Sequence, residues 1–191
     1  MVQVLLFHHS RGQTPGFHAF ADGIRASGHE VHTLDLFDGR TFDSIDDGMA
    51  HVRTVGFDDL IDRGVAAAGD LPTDIVYAGV SFGVMVAQRL AQTRPGARGA
   101  LLFESAAPPD YFGTPWPAEV PVQFHAKDAD PFFVGEGDIE HARAIVAAST
   151  RGELFLYPGD QHLFIDSSAA AYDAEATALV HERVRAFLAG L

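Results

Sequence analysis

The sequence predicts an α/β fold, in which a doubly wound, mainly parallel sheet of six strands is covered by helices on both faces. Short apolar runs alternate with helix-length amphipathic stretches, which is the pattern of repeated βα units with right-handed crossovers. The apolar runs are continuous, as expected for strands that are buried on both faces. No internal repeat or linker divides the 191 residues, so we expect one domain spanning residues 1–191 with strand order 2-1-3-4-5-6.

The first strand is predicted over Val2–Phe7, the first continuous apolar run. Thr14 and Pro15 then provide a helix cap and a first-turn proline, so a helix is expected to run through Ala26. The remaining elements of the first half are a strand over 30–36, a polar stretch over 37–48 and a helix over 50–68.

The second half of the chain continues the alternation. Its strands are predicted over 74–78, 100–104, 122–126 and 153–157, and its helices over 84–91, 138–148 and 169–188. Residues 105–121 carry five prolines, which exclude a helix or a central strand there. We expect that segment to pack against the domain as irregular chain.

The composition excludes several classes of function. A formal net charge of −13 argues against nucleic acid and against anionic membrane surfaces as partners. The absence of cysteine excludes a disulfide scaffold, a thiolate nucleophile and a cysteine-based zinc site. The first apolar run is too short to span a bilayer and no basic leader precedes it, so we expect a cytoplasmic protein.

The stretch Gly79–Val80–Ser81–Phe82–Gly83 is the most informative motif in the chain. It lies between a β-rich run and a helix-forming run, which is the context of a nucleophile elbow. The serine of such an elbow lies on a sharp turn with strained dihedral angles, and the flanking glycines avoid collisions with the neighbouring strand or helix. Because a helix begins at the serine, free N–H groups and the positive end of the helix dipole face any anion formed at its hydroxyl.

Reactive side chains follow the predicted strands at the carboxyl edge of the sheet, where ligands gather in parallel α/β folds. Ser81 follows the third strand, Asp130 the fifth and His162 the sixth. A serine hydroxyl needs an imidazole to take its proton, and the imidazole needs a carboxylate to fix its tautomer. We therefore predict Ser81 as nucleophile, His162 as general base and Asp130 as orienting acid. Asp128 and Glu104 stay open as alternative acids, since each also follows a strand.

Two backbone N–H groups are expected to form an oxyanion hole. One belongs to Phe82, directly after the nucleophile, and the other to the loop after the first strand, with Ser10 as the candidate. His8 and His9 begin the same loop, but adjacent side chains at a strand end point apart and no third metal ligand is evident. We therefore expect neither a metal nor a cofactor.

Four segments make the sequence resemble the dienelactone hydrolase family over nearly the whole chain. They are Phe7–Gly12 after the first strand, Gly79–Gly83 at the elbow, His125–Pro131 and Tyr157–Phe164. In that family the acid falls five residues after the strand histidine, and the base lies in a Tyr-Pro-Gly-X-X-His-X-Phe run. The resemblance implies these roles for Asp130 and His162, and it implies a minimal α/β-hydrolase fold without a lid domain.

Two positions differ from the family's well-known members, which carry a cysteine at the elbow and a glutamate in the first loop. Here those positions hold Ser81 and His9, so the thiol activation that depends on that pair does not operate. The sequence then predicts a serine hydrolase that cleaves small carboxylic esters or lactones through an acyl-enzyme. Its activity should rise as His162 loses its proton. Two alternatives stay open: an inactive binding protein on a hydrolase scaffold, and an acyltransferase that uses the same three residues.

Loops after the strands hold the candidates for a substrate pocket. The predicted pocket residues are His9, Arg11, Tyr111, Phe112, Trp116, Phe132 and Phe133. The aromatics among them suit an apolar wall, and they equally suit anchoring of the loops to the core. Arg11 or Arg53 is a candidate to bind a substrate carboxylate. With no insertion long enough for a lid domain, we expect an open site for a small-molecule ester or lactone, and the sequence does not distinguish a monomer from a homodimer.

Overall fold

A single six-stranded sheet forms the centre of the computed structural model, which describes all 191 residues. The strand order is β2-β1-β3-β4-β5-β6, and every neighbouring pair is parallel. The strands are β1 (Gln3–Phe7), β2 (Glu30–Leu34), β3 (Val76–Val80), β4 (Gly99–Phe103), β5 (Val122–Lys127) and β6 (Gly152–Tyr157). The predicted α/β class and strand order are confirmed, and the sheet is wholly rather than mainly parallel.

Six helices connect and cover the strands. They are α1 (Pro15–Arg25), α2 (Ile45–Val55), α3 (Phe57–Ala67), α4 (Phe82–Thr93), α5 (Asp138–Ala148) and α6 (Ala174–Ala189). None of the helices combines the length and the apolar character that a bilayer crossing requires.

The sheet is buried on both faces by two separate cores, as a doubly wound fold requires. Successive residues of β1 point to opposite sides, so Leu5 belongs to one core and Leu6 to the other. The first core packs against α2, α3, α4 and α5, and the second against α1 and α6. This double burial explains why the strand sequences are apolar without alternation.

Between β2 and β3 the sequence predicts a single helix over 50–68, but the structure has two helices. They meet at Gly56, whose φ of 111° interrupts the helical path. The first of them begins inside the predicted polar stretch, because the Ser44 side chain accepts a hydrogen bond from the N–H of Asp47 and caps the helix. Residues 45–48 are therefore the first turn of α2.

The last helix begins five residues later than the predicted start at Ala169. Asp173 caps it by accepting a hydrogen bond from the N–H of Ala176, and its carboxylate also pairs with Lys127 at 2.6 Å. Residues 169–172 form turns before this cap. The cap and the ion pair fix the start of α6 to the end of β5.

The proline-rich segment between β4 and β5 contains no helix or strand, as predicted. Two buried glutamines of α4 hold it in place. Gln88 exchanges hydrogen bonds with the backbone N–H and C=O of Ala107, and the Gln92 side chain donates to the carbonyls of Pro109 and Thr114. These bonds satisfy backbone groups of a segment that makes no strand ladder.

Candidate active site

Ser81 occupies the tight turn between β3 and α4 with φ of 50° and ψ of −116°. That conformation is costly for a residue with a side chain, and close packing on both sides imposes it. A Cβ at Gly79 would collide with the carbonyl of Gly83 in α4, and a Cβ at Gly83 would collide with the carbonyl of Phe7 in β1. The two glycines therefore let the helix begin against the sheet, and this places the serine hydroxyl at the carboxyl edge.

Backbone strain concentrates around this turn. Four residues other than glycine have positive φ, and three of them are Ser81, Glu104 at 64° and Leu163 at 63°. Glu104 follows β4, the neighbour of the elbow strand, and Leu163 follows His162. Residues with strained backbone often cluster at functional sites.

A continuous chain of hydrogen bonds connects Ser81, His162 and Asp130. The Nε2 of His162 lies 2.9 Å from the Ser81 Oγ, and its Nδ1 lies 2.6 Å from the Asp130 Oδ2. An ionised carboxylate only accepts, so the Nδ1–H of His162 donates to Asp130 and its Nε2 accepts the Ser81 hydroxyl proton. The other Asp130 oxygen, Oδ1, accepts from the N–H groups of Phe132 and Phe133, at 2.8 and 3.3 Å. The imidazole is thus held in the tautomer that can take a proton from the serine.

The electrostatic surroundings favour the protonated form of His162. Burial by itself lowers the pKa of this imidazole, but the hydrogen bond to Asp130 and the charges of Glu104, Asp130 and Asp138 outweigh it. The net result is a pKa above the ordinary value of 6.5. A proton taken from Ser81 is therefore stabilised on the ring.

Neither of the two alternative acids is hydrogen bonded to the His162 ring. Asp128 is exposed and its Oδ1 accepts a hydrogen bond from the N–H of Gly159 at 2.9 Å. Glu104 is buried, and its Oε1 accepts from the N–H of Phe164 at 2.9 Å. Of the three carboxylates considered from the sequence, Asp130 is the one that is hydrogen bonded to the imidazole.

The two expected oxyanion-hole residues line the same cavity as Ser81 and His162. Phe82 is the first residue of α4, so its N–H has no partner within the helix. Ser10 is buried in the loop after β1, where Gly48 of α2 packs so closely that a Cβ there would collide with the Ser10 carbonyl. Both residues are therefore held at the cavity that contains the Ser81 side chain.

A buried polar network fixes the loop that carries Ser10. His9 Nδ1 accepts the N–H of Arg11 at 3.2 Å, which leaves the proton on Nε2, 2.9 Å from the Asp166 Oδ2. Asp166 also accepts hydrogen bonds from the hydroxyls of Thr14 and Ser168. The loop of Ser10 is in this way connected to the segment that follows His162.

His8 faces away from this network. Its Nε2 accepts the N–H of Leu36 at 3.0 Å, and its Nδ1–H donates to the His9 carbonyl at 2.8 Å. The two adjacent imidazoles therefore have separate partners, as expected for neighbouring side chains at the end of a strand.

The cavity at the site has a volume of about 440 Å³ and opens to solvent. Of the seven predicted pocket residues it includes Phe132, whose ring lies 4.6 Å from that of His162. Trp116 and Phe133 lie in the core instead, since the indole of Trp116 donates to the Val120 carbonyl and Phe133 packs beneath α5. These two aromatics anchor their loops.

The remaining four predicted pocket residues also lie outside the cavity wall. Tyr111 and Phe112 pack edge to face against each other beside α3 and α4, on a different part of the surface. His9 is turned into the buried network, and Arg11 donates from its side chain to the carbonyl of Phe42. The cavity wall thus includes one of the seven predicted pocket residues, because the loops turn the other six side chains towards the core or away from Ser81.

The sequence reasoning missed the apolar wall of the cavity, which comes from helices. Its members are Ile45 and Met49 of α2, Phe57 of α3 and Met85 of α4. A signal for α2 was present: Ser44 followed three residues later by Asp47 is a capping pattern. The packing of that helix over Ser81 depends on the distant contact of Gly48 with Ser10, which no local pattern encodes.

Comparison with known proteins identifies the family to which the chain belongs. The model of the dienelactone hydrolase family matches residues 11–191. No curated protein sequence matches this chain.

Solved structures share the fold at low sequence identity. A dienelactone hydrolase-like promiscuous phosphotriesterase from metagenomic libraries matches with a TM-score of 0.78 and 17% identity, over 100% of this chain and 87% of its own. A proposed dienelactone hydrolase from Klebsiella pneumoniae matches with a TM-score of 0.74 and 15% identity, over 99% and 87% of the two chains. Esterase 2 of Thermogutta terrifontis matches with a TM-score of 0.71 and 19% identity, over 99% and 83%. These similarities establish an α/β-hydrolase fold.

Proposed function

This chain belongs to the dienelactone hydrolase family, and from that premise we propose that it is a serine hydrolase cleaving small carboxylic esters or lactones through an acyl-enzyme. One observation carries the proposal. Ser81 Oγ, His162 and Asp130 form an unbroken hydrogen-bonded chain, with distances of 2.9 and 2.6 Å, at the edge of a solvent-open cavity. This arrangement is the one that activates a hydroxyl for attack on an acyl carbon.

Acylation follows from the direction of the hydrogen bonds. The Ser81 Oγ attacks the ester carbonyl carbon while its proton moves to the Nε2 of His162. The negative charge that develops on the carbonyl oxygen is stabilised by the N–H groups of Phe82 and Ser10. His162 then gives its proton to the leaving alkoxide, and the acyl group stays on Ser81.

Deacylation repeats these steps with water. His162 takes a proton from a water molecule, the resulting hydroxide attacks the acyl carbon, and the proton returns to the Ser81 Oγ as the carboxylic acid leaves. Asp130 keeps its negative charge throughout and stabilises the imidazolium that forms in both halves of the reaction.

The size of the cavity supports small substrates. A volume of about 440 Å³ lies at the small end of the range for ligand sites. Its apolar side, built from Met49, Phe57 and Met85, suits a short acyl or alkyl chain. No lid domain covers it, since its walls come from α2, α3, α4, the start of α5 and the loops that follow the strands.

Replacement of Ser81 tests the proposal. We expect Ser81→Ala to lower the turnover of p-nitrophenyl acetate by ~10⁴-fold or more, with an unchanged circular dichroism spectrum. A fluorophosphonate probe should label the wild-type protein and not this variant. Ser27→Ala, at the distant end of α1, is the matched control and should keep both activity and labelling. Equal turnover in Ser81→Ala and the wild type would refute the proposed function.

A further inference from the structure

The end of β4 is hydrogen bonded to both sides of the candidate active site. The carbonyl of Phe103, the last residue of β4, accepts the N–H of Ser81 at 2.8 Å. The next residue is Glu104, and its side-chain Oε1 accepts the N–H of Phe164 at 2.9 Å. Two adjacent residues therefore hold the turn of Ser81 and the loop of His162 against one strand.

Glu104 is itself fixed by the neighbouring strand β5. Its side chain is buried, and its N–H donates to the carbonyl of His125 at 2.8 Å. The His125 ring is held in turn, since its Nε2–H donates to the Gln123 Oε1 at 2.9 Å and its Nδ1 accepts the Tyr157 hydroxyl at 2.8 Å. The carboxylate of Glu104 therefore extends from a rigid base within the sheet.

The loop that Glu104 holds is strained directly after His162. Leu163 has a φ of 63°, in the left-handed region that a leucine rarely adopts. Such a conformation persists only where the surrounding structure maintains it. The bond from the Phe164 N–H to Glu104 lies one residue beyond the strained position, so it restrains the turn that carries the imidazole.

Charge connects Glu104 to His162 as well. Burial lowers the pKa of the imidazole, and after the hydrogen bond to Asp130 the charge of Glu104 is the largest contribution that raises it, with a smaller one from Asp138. Burial raises the pKa of Glu104 to about 7, against the lowering effects of His162 and the Phe164 N–H. The imidazolium and the carboxylate therefore stabilise each other's charged forms.

We propose that Glu104 is a positioning residue, which holds the loop of His162 so that the imidazole stays within hydrogen-bond distance of Ser81. This inference rests on the proposed hydrolase function and adds a residue on which the reaction at that site depends. Glu104 acts through the backbone N–H of Phe164 and not on the reacting atoms. Loss of this restraint would let the imidazole move, and a displacement of about 1 Å in a catalytic group lowers the rate by ~10²-fold.

Two conservative variants separate the reach of Glu104 from its charge. Glu104→Gln keeps an acceptor oxygen at the same distance from the backbone and removes the charge. Glu104→Asp keeps the charge, tolerates the positive φ and withdraws the carboxylate from the Phe164 N–H by one methylene. At pH 9, chosen to leave His162 mainly deprotonated, we expect kcat/KM for p-nitrophenyl acetate to fall by ~10²-fold in Glu104→Asp and by less than ~5-fold in Glu104→Gln.

The other outcomes of this comparison contradict the positioning role. Equal losses in the two variants would indicate a side chain that only supports the fold, and a larger loss in Glu104→Gln would assign the effect to charge. Urea denaturation gives the folded fraction by which each rate is corrected. Glu140→Gln and Glu140→Asp, which change an exposed carboxylate of α5, are the matched controls and should keep the wild-type kcat/KM.

Hydrogen exchange tests the same contact without any substitution. In the wild type the Phe164 N–H should exchange slowly, as the amides of β4 do, because it is bonded to a buried acceptor. Exchange at the rate of an exposed loop amide would show that Glu104 does not restrain the loop, and it would overturn the inference even where Glu104→Asp does not fold.

Failure of this inference is distinct from failure of the proposed function. Ser81-dependent turnover that Glu104→Asp leaves unchanged would refute the positioning role alone. Equal turnover in Ser81→Ala and the wild type would refute the hydrolase, and the role of Glu104 in its reaction would fail with it.

Discussion

His9 Nε2 lies 2.9 Å from the Asp166 Oδ2, and both side chains are about 1% exposed. Asp166 follows His162 by four residues and His9 directly precedes Ser10. The contact therefore joins the loop of His162, the proposed general base, to the loop of Ser10, the proposed oxyanion-hole donor. We interpret it as the element that keeps these two loops at a fixed separation.

We expect Asp166→Asn to weaken both stability and turnover. Burial alone raises the pKa of Asp166, but the hydrogen bonds from His9, Ser168 and Thr14 outweigh it and hold the pKa below its usual value. The charged form thus stabilises the fold above the unfolded-state pKa, and this contribution disappears as pH falls through the folded-state pKa. Urea denaturation should show that the free energy of unfolding of the variant is lower than that of the wild type by about 2 kcal/mol at pH 7. This difference should become smaller in acid. The kcat for p-nitrophenyl acetate should fall by ~10-fold through misplacement of the Ser10 donor.

The exposed Asp160 provides the control for that experiment. Asp160→Asn changes a carboxylate between β6 and His162 that is solvent-exposed. We expect wild-type stability and kcat in this variant. An equal loss in both variants would argue against a specific role of the His9–Asp166 contact.

Asp130 and Asp128 offer a second matched pair. Asp130→Asn should lower kcat by ~10⁴-fold, because the amide no longer stabilises the imidazolium and favours the wrong tautomer of His162. Asp128→Asn should keep activity within ~2-fold, since Asp128 bonds to Gly159 and not to His162. Steady-state kinetics with p-nitrophenyl acetate compares them, and a larger loss in Asp128→Asn would reassign the orienting acid.

The pH profile of kcat/KM should follow His162. Since its pKa lies above 6.5, activity should rise with pH and reach its half-maximal value above pH 6.5. The charge of Glu104 contributes to raising this pKa, so Glu104→Gln should move the midpoint to lower pH. Rates measured from pH 5 to pH 9 test both statements, and an upward movement of the midpoint in Glu104→Gln would contradict the electrostatic account.

The raised pKa of Glu104 predicts that the stability difference between the wild type and Glu104→Gln depends on pH. Its pKa is about 7 in the folded protein and 4.5 as the ordinary value, so the folded state is penalised once the unfolded chain ionises. The penalty is about 1 kcal/mol at pH 5 and about 3 kcal/mol at pH 8. Glu104→Gln removes it, so the stability gained by this substitution should grow from pH 5 to pH 8. Urea denaturation of both proteins at the two pH values measures the gain, and a gain independent of pH would refute the raised pKa.

Much of the fold could be predicted from local sequence. The strands are apolar without alternation because both faces of the sheet are covered, and this property is visible in each short run. Ser81, Asp130 and His162 each follow a strand of a parallel sheet, so the fold brings their loops to one edge. Their contact is seen in the structure, and their catalytic roles stay predictions until Ser81→Ala and Asp130→Asn are assayed.

The walls of the cavity could not be predicted in the same way. Which side of a loop an aromatic such as Trp116 or Phe133 faces depends on partners far along the chain. The position of Met49 over the site depends on how closely Gly48 approaches Ser10. Glu104 is a candidate acid by its position after β4, but its hydrogen bond to the Phe164 N–H instead of to His162 is a tertiary property.

The hydrogen bond between Ser81 and His162 spans 81 positions of the sequence and depends on β6, the last strand to emerge during translation and an edge of the sheet. A chain that lacks β6 in the sheet cannot bring His162 to Ser81, whatever the state of the turn that carries the serine. We therefore expect any Ser81-dependent ester cleavage to recover, after dilution from denaturant, only once β6 has joined the sheet.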